Sequence, residues 1–465
     1  MSQAFASPDA IRTAFSSAMS DMYRVEVPLY GELIDIVETI NAAVLAADAT
    51  LAQELDRSGD GQRLGAERHG AIRLGTADEL WMMRRALAVM GMYPVGYYDL
   101  AVAGVPVHST AFRPVDPDAL KRNPFRLFTS LLRLDLIDDE DLRATAERIL
   151  ADRRIFSDQA VALIERAETQ GGLEAGDAER FVAEILETFR WRSEALVDAG
   201  TYGRLQAAHR LVADVVSFKG PHINHLTPRV LDIDAAQAEM PRRGIDAKAV
   251  VEGPPRRAIP ILLRQTSFKA LEEQIRFLGQ EAGRAGTHTA RFGEIEQRGI
   301  ALTPKGRALY DRLLDEAGPQ GPDYPQRLSD AFARFPDTAE ELRRQELAYF
   351  RYRAADVPAP HRSGEATVHT LIGDGVLVAE PIVYEDFLPV SAAGIFQSNL
   401  GSEQQRGYVA EQAQADFERA LGSAVLDPFE LYEAEQDRSL EAARAALRLP
   451  SSAKTNAHDM GSTLA

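Results

Sequence analysis

The stretch Phe292-Gly-Glu-Ile-Glu-Gln-Arg298 places two acids, Glu294 and Glu296, two residues apart in a run that reads as β-strand. Successive strand side chains alternate between faces, so both carboxylates point to one side. Burying two acids side by side is unfavourable unless something positive meets them, and no Lys or Arg precedes Arg298 within the run. A metal cation would answer that need. Two other stretches offer partners, Glu67-Arg-His69-Gly-Ala-Ile-Arg73 and His222-Ile-Asn-His225-Leu-Thr-Pro-Arg229. Two imidazoles and one carboxylate from separate strands form the facial triad of non-haem Fe(II) oxygenases. His69 and His225 are the favoured pair. Each lies near Gly or Pro in a strand context, where backbone and ligand approach closely, and each has an Arg four residues on. His222 and His225 are three apart, so in a strand they face opposite ways and at most one is a ligand.

These residues need a scaffold. Ser7 to Met22 reads as a helix, with Ser7 as N-cap and Pro8 at its first position. Tyr30 to Leu51 carries apolar residues at helical spacing. The turn Asp56–Gly61 mimics an EF-hand, with Asp56, Ser58, Asp60, Gly61 and Glu67 at ligand positions. Arg63 stands where an apolar residue belongs, so the stretch is read as a solvated turn entering a strand from His69 to Gly75. In that strand His69, Ala71 and Arg73 share a face, with His69 and Arg73 roughly 13 Å apart. A helix starts at Thr76 and Asp78, and strands follow over 94–113. Amphipathic patterns then recur from Phe125 to Leu211. Val212 to Val216 reads as β-rich, Lys269 to Gly279 as a helix, and Thr287 to Glu296 as one long strand. Asp311 to Phe350 is helical again, Thr367 to Ile382 returns to strands, and Leu440 to Leu447 is a last helix. The expected organisation is 1–115 as N-terminal helices and a first strand module, and 116–211 as a helical block. A second strand module with the metal site spans 212–310, helices and strands completing the pocket span 311–450, and 451–465 is a disordered tail.

Composition removes several function classes. The 465 residues carry a formal net charge of −18 at pH 7, and the pI is about 5.1. That excess of acid argues against a nucleic-acid or anionic-membrane partner. No apolar run is long enough to span a bilayer, and the N-terminus lacks the basic and apolar regions of a signal peptide, so the expected location is cytoplasmic. There is no cysteine, so any metal is held by His, Asp, Glu or water. No P-loop or strand-linked GxGxxG is present.

Six segments carry a family resemblance: ERHGAIRLGT (67–76), GVPVHSTAFRP (104–114), HINHLTPR (222–229), RQTSFKALEE (264–273), TARFGEIEQRGIALTPKGR (289–307) and YEDFLPVSAAGIFQSNLG (384–401). Together they resemble the 2-oxoadipate dioxygenase/decarboxylase family, over nearly the whole chain. That family belongs to the vicinal-oxygen-chelate superfamily, with 4-hydroxyphenylpyruvate dioxygenase and hydroxymandelate synthase. The resemblance implies an α+β fold, with a curved sheet of βαβββ modules around a metal and a large helical insertion. It implies Fe(II) held by His69, His225 and a glutamate that is either Glu294 or Glu296. The superfamily pattern before Gln-Arg favours Glu294, whereas the His-to-Glu spacing favours Glu296. It further implies Arg73, Val390 and Ser391 at the substrate, and conversion of 2-oxoadipate and O2 to 2-hydroxyglutarate and CO2 in lysine catabolism. A metal-dependent hydrolase or isomerase, or a non-catalytic 2-oxo-acid binding protein, would use the same scaffold and ligands.

Overall fold

A computed structural model describes residues 5–279, 286–319, 321–356, 367–388 and 403–449. The fold is mixed α+β. Its centre is a five-stranded sheet of β1 (Arg68–Leu74), β2 (Tyr93–Asp99), β3 (Val107–Arg113), β4 (Arg126–Leu132) and β5 (His225–Pro228), in the order β2-β3-β4-β1-β5. β1 runs parallel to β4, while the β1–β5, β2–β3 and β3–β4 pairs are antiparallel. The helix Ala77–Val89 makes the crossover from β1 to β2 and is capped by Thr76, whose hydroxyl accepts from the Glu79 amide. Beyond β5 lie β6 (Leu263–Ser267) and β9 (Glu294–Arg298), an antiparallel pair. β9 is tied alongside β5 by a parallel bridge between Arg229 and Glu296, with the Val230 amide donating to the Glu296 carbonyl. The hairpin of β7 (Glu272–Ile275) and β8 (Gly286–Thr289) and the pair of β10 (Phe350–Ala354) and β11 (Leu377–Pro381) complete the strands among the described residues.

Strand alternation sorts the central sheet into two faces. Ile72 and Leu74 of β1, with Leu127 and Leu131 of β4, join a core made with the N-terminal helices Pro8–Glu26 and Pro28–Ala47. Ala71 and Phe128 belong to a separate core on the other face, and His69, Arg73, Arg126 and Ser130 alternate with them along the same side. The N-terminal helices also fasten the site strands. Tyr23 donates to the carbonyls of Asn224 and Phe292, and Asn41 bonds the backbone on both sides of Val230. Gly70 permits the close crossing of β1 and β5. A Cβ there would lie 2.7 Å from Ile223 Cδ1 and 3.2 Å from the His225 carbonyl.

Several local expectations are corrected. Val212–Val216 lies inside the helix Arg210–Ser217, buried from Leu211 onward. A wholly buried run shows no polar stripe, so its periodicity does not separate helix from strand. Lys269–Gly279 is not a helix but carries β7, and the expected long strand to Glu296 is split into β8 and β9. Asp56–Gly61 is helical on both sides of Gly59, whose φ of 81° ends the helix Ala49–Ser58 before Asp60–Ala66 begins. The stretch 116–211 is not helical throughout, because residues within Phe125–Leu134 form β4 of the central sheet, buried along its whole length. The helices that do separate β4 from β5 are Glu140–Asp152, Asp158–Gln170, Ala175–Phe189, Ala199–Ala208 and Arg210–Ser217. Thr367–Ile382 begins with the short helix Val368–Gly373, and the last described helix is longer than expected, Pro428–Ala446. The tail 451–465 lies outside the described residues.

Candidate metal centre

Three strand segments converge on one buried point. His69 comes from β1, His225 opens β5 and Glu294 opens β9, and one ligand atom of each lies within 4.8 Å of the others. His69 Nε2 is 3.2 Å from Glu294 Oε2, and His225 Nε2 is 3.7 Å from the same oxygen. Two ligands that each lie about 2.1 Å from one ion are about 3.0 Å apart at a right angle and about 3.4 Å apart at the tetrahedral angle. The His69 spacing falls inside that range, and the His225 spacing lies about 0.3 Å beyond it, so the three groups stand close to the positions one shared ion requires. His225 Nδ1 and Gln265 Oε1 are buried here with no hydrogen-bond partner in the described structure, as at a site where further polar contacts are to be made.

Electrostatics separate the two acids of β9. Glu296, fully buried, receives Arg298 on both oxygens (2.8 and 2.9 Å). Arg298 is itself held by the carbonyls of Tyr384 and Asp386. Burial would raise the Glu296 carboxyl, but Arg298 and His69 bring it down to about 2. Its Oε2 lies 2.8 Å from His69 Nδ1. A carboxylate on one ring nitrogen of a histidine fixes the ring so that the other nitrogen can face a metal. Glu294 has no Lys or Arg ion pair among the described residues. Gln265 Nε2 (2.8 Å) and Thr227 Oγ1 (3.1 Å) donate to it instead. Burial again opposes ionisation of Glu294, and His69 and His225 outweigh it.

The imidazoles differ too. Burial pulls His69 down, yet Glu296 and Glu294 raise it overall. Burial lowers His225 to about 3, with Glu294 opposing and His69, Arg73 and Lys248 reinforcing the fall. It is neutral at physiological pH, its lone pair free for a metal. Phe387 packs edge-on to His69 at 4.9 Å and Phe292 lies against His225 at 4.8 Å, which keeps the cluster dry.

Of the predicted site residues, the structure brings together His69, His225 and Glu294, and sets Glu296 behind His69. Arg73 lies on the same face of β1, and its Nη1 donates to Asp214 (2.6 Å). Val390 and Ser391 lie outside the described residues. His222 turns away from the centre towards Asp214. Glu67, the last EF-hand position, is enclosed by Arg63, Arg126 and Arg229, which leaves no calcium loop. Sequence reasoning missed Asp214, Gln265, Thr227 and His288. Asp214 had a usable signal, as a lone acid in the otherwise apolar run Leu211-Val-Ala-Asp-Val-Val. Gln265 and Thr227 look like ordinary strand residues.

A mixed α+β scaffold with a buried two-histidine, one-carboxylate cluster at its strand junction defines a candidate metalloenzyme. Residues 15–399 match the family described as 2-oxoadipate dioxygenase/decarboxylase. Proteins of that description are 56% identical in Pseudomonas putida, over 96% of this chain and 99% of that protein, and 56% identical in Escherichia coli, over 93% and 97%. One in Mycobacterium tuberculosis is 40% identical over 91% and 96%. The chain also superposes on the crystal structure of hydroxyglutarate synthase from Pseudomonas putida in complex with 2-oxoadipate. The TM-score is 0.90 at 55% identity, with 96% of this chain and 99% of that one covered. This chain belongs to the 2-oxoadipate dioxygenase/decarboxylase family.

Proposed function

We propose that the protein is an Fe(II)-dependent dioxygenase and decarboxylase that converts 2-oxoadipate and O2 to 2-hydroxyglutarate and CO2. The equation balances without a second reductant, because the substrate carries its own 2-oxo acid: one carbon leaves as CO2 and the five-carbon remainder gains the hydroxyl. The observation that carries the reading is the buried His69–His225–Glu294 cluster in a chain whose relative was crystallised with 2-oxoadipate. His69, His225 and Glu294 hold the metal in this proposal. Fe(II) there would supply open positions for the 2-oxo-carboxylate end of the substrate and for O2.

The chain's own residues do the rest. Glu296, gripped by Arg298, keeps the His69 proton on Nδ1. Gln265 and Thr227 hold the Glu294 carboxylate in one orientation. Arg73 receives the distal carboxylate, for which its planar fork is suited. Val390 and Ser391 are assigned to the substrate pocket by resemblance, and Phe387 just before them walls the metal side.

In this reading β1, the helix Ala77–Val89, β2, β3 and β4 form one βαβββ module of a vicinal-oxygen-chelate sheet. β5, the helix Ile233–Arg242, β6 and β9 form the core of a second. β1 pairs in parallel with β4, and a single parallel bridge just after β5, Arg229 to Glu296, sets β9 beside it. The enzyme is proposed to act in the cytoplasm, in lysine catabolism. No helix among the described residues is long and apolar enough to cross a membrane.

The test is anaerobic Fe(II) loading, addition of 2-oxoadipate, a pulse of O2 and product analysis. Equal amounts of O2 consumed, CO2 and 2-hydroxyglutarate are expected. Turnover without O2 uptake would instead indicate a metal-dependent hydrolase or isomerase, and tight binding without turnover a 2-oxo-acid binding protein.

A further inference from the structure

A second cluster of titratable groups lies beside Arg73. The buried helix Arg210–Ser217 carries Asp214 among apolar neighbours. Asp214 Oδ2 accepts from Arg73 Nη1 at 2.6 Å. Its Oδ1 lies 2.9 Å from His288 Nε2 and 3.2 Å from His222 Nε2, and Asn224 Nδ2 is 3.5 Å from Oδ2. His288 is fixed from its other side by the Tyr202 hydroxyl, 2.9 Å from Nδ1. Trp191 stacks on His288 and meets His222 edge-on at 4.6 Å. Asp214 is thus locked by contacts from four directions, whereas the Arg73 side chain remains 19% exposed. Among the described residues the Arg73 guanidinium donates only through Nη1, so its other N–H groups are available to another acceptor.

We propose that Asp214 is a positioning residue, which holds the Arg73 guanidinium so that its remaining donors meet the distal carboxylate of the substrate. The inference rests on the proposed reaction and names what gives Arg73 its placement. β1 sets the direction, since His69 and Arg73 share a face with Ala71 between them. A long, flexible side chain needs a second fixed point to present a fork in one orientation, and misplacement by about 1 Å can lower the rate about a hundredfold. Asp214, His222 and His288 also have the ligand types and spacing of a metal site. The guanidinium already neutralises the carboxylate at 2.6 Å, and a second dication beside it would meet like-charge repulsion.

Asp214→Asn keeps the shape and removes the charge. Loss of that negative charge would by itself strengthen attraction for the distal carboxylate, so a fall in activity reports lost position. With metal-loaded protein, kcat/KM for 2-oxoadipate should fall tenfold or more. Anaerobic affinity for 2-oxohexanoate, which lacks the distal carboxylate, should change less than threefold, and metal content should stay at one ion per chain. Asp214→Asn added to Arg73→Ala should lower neither quantity further. The inference is overturned by a rise in kcat/KM, by equal losses on both ligands, by additive losses with Arg73→Ala, or by two ions per chain in the native protein. If Asp214→Asn does not fold, by its melting curve, His288→Gln carries the same test with the charge left in place. Failure of the native protein to consume O2 with 2-oxoadipate would overturn the proposed reaction itself, a result distinct from any of these.

Discussion

Glu296→Gln separates the two acids of β9 most sharply. The substitution keeps the side chain's volume but leaves Arg298 facing a neutral amide in a site with no solvent access. Removing one partner of a buried ion pair costs about 3–5 kcal/mol. Arg298 keeps two backbone carbonyls, which places the expected loss near the lower end. The carboxyl itself gives a similar figure. A folded value of about 2 against an ordinary 4.5 corresponds to about 3 kcal/mol of pH-linked stability. The sign follows from the direction. A carboxyl lowered by folding contributes its full stability above the unfolded value, and loses it as the pH falls from about 4.5 towards about 2. One pH unit below the unfolded value removes about 1.4 kcal/mol. Urea unfolding of the metal-free native and Glu296→Gln proteins should therefore differ by about 3 kcal/mol at pH 6, with the gap narrowing by about 1.4 kcal/mol at pH 3.5. Metal titration should show one ion still bound, about 10–100-fold more weakly, because His69 has lost the group that orients it. Glu294→Gln should bind no ion. The reasoning fails if Glu296→Gln abolishes metal binding while Glu294→Gln retains it, or if the stability gap does not change with pH.

His69→Ala and His225→Ala should each abolish metal binding with the fold retained, and His222→Ala should keep the ion; elemental analysis after desalting checks all three. Arg73→Lys keeps the charge but loses the fork. It should lower kcat/KM for 2-oxoadipate by about tenfold or more, a loss of about 1.4 kcal/mol per factor of ten, with metal content unchanged. Steady-state kinetics with 2-oxohexanoate should show a smaller effect, and equal effects would place Arg73 away from the distal carboxylate. Gly70→Ala puts a methyl 2.7 Å from Ile223 and against the His225 carbonyl. It should destabilise by about 1–3 kcal/mol in thermal unfolding and weaken metal binding, since β5 carries the proposed ligand His225. Unchanged stability would mean that the crossing can relax.

The stretches that converge on the candidate centre were legible because strand periodicity is short-range. His69, Ala71 and Arg73 share a face as the period of two requires, and so do Glu294 and Glu296. The roles of the two acids were not legible. The charge that answers Glu296 comes from Arg298, two further along the same face, and sequence alone does not show whether that guanidinium folds back or reaches away. His222 and His225 do part company, though not as opposite faces of one strand. β5 begins at His225, and His222 precedes it in a segment turned towards Asp214. The helix Arg210–Ser217 does not show in the sequence because burial on all sides erases the polar stripe that would mark it. β4 was hidden for the same reason.

Charge balance links the buried network to the proposed substrate. Around the centre, the buried arginines Arg63, Arg126, Arg229 and Arg298 face the buried glutamates Glu67, Glu385, Glu296 and Glu294. Glu294 alone of these acids lacks an arginine in contact, but the set as a whole is neutral, and so is the nearby Arg73–Asp214 pair. A divalent ion held there by neutral imidazoles, as proposed, would therefore add an uncompensated double positive charge to a desolvated site. Such a charge is strongly unfavourable unless it is matched. A dicarboxylic 2-oxo acid is a dianion at neutral pH and cancels it, one carboxylate at the ion and the other at Arg73. A monocarboxylic analogue leaves one charge unmatched in the same volume. In the proposed reading, the preference for a second carboxylate is thus a property of the whole buried network as well as of Arg73.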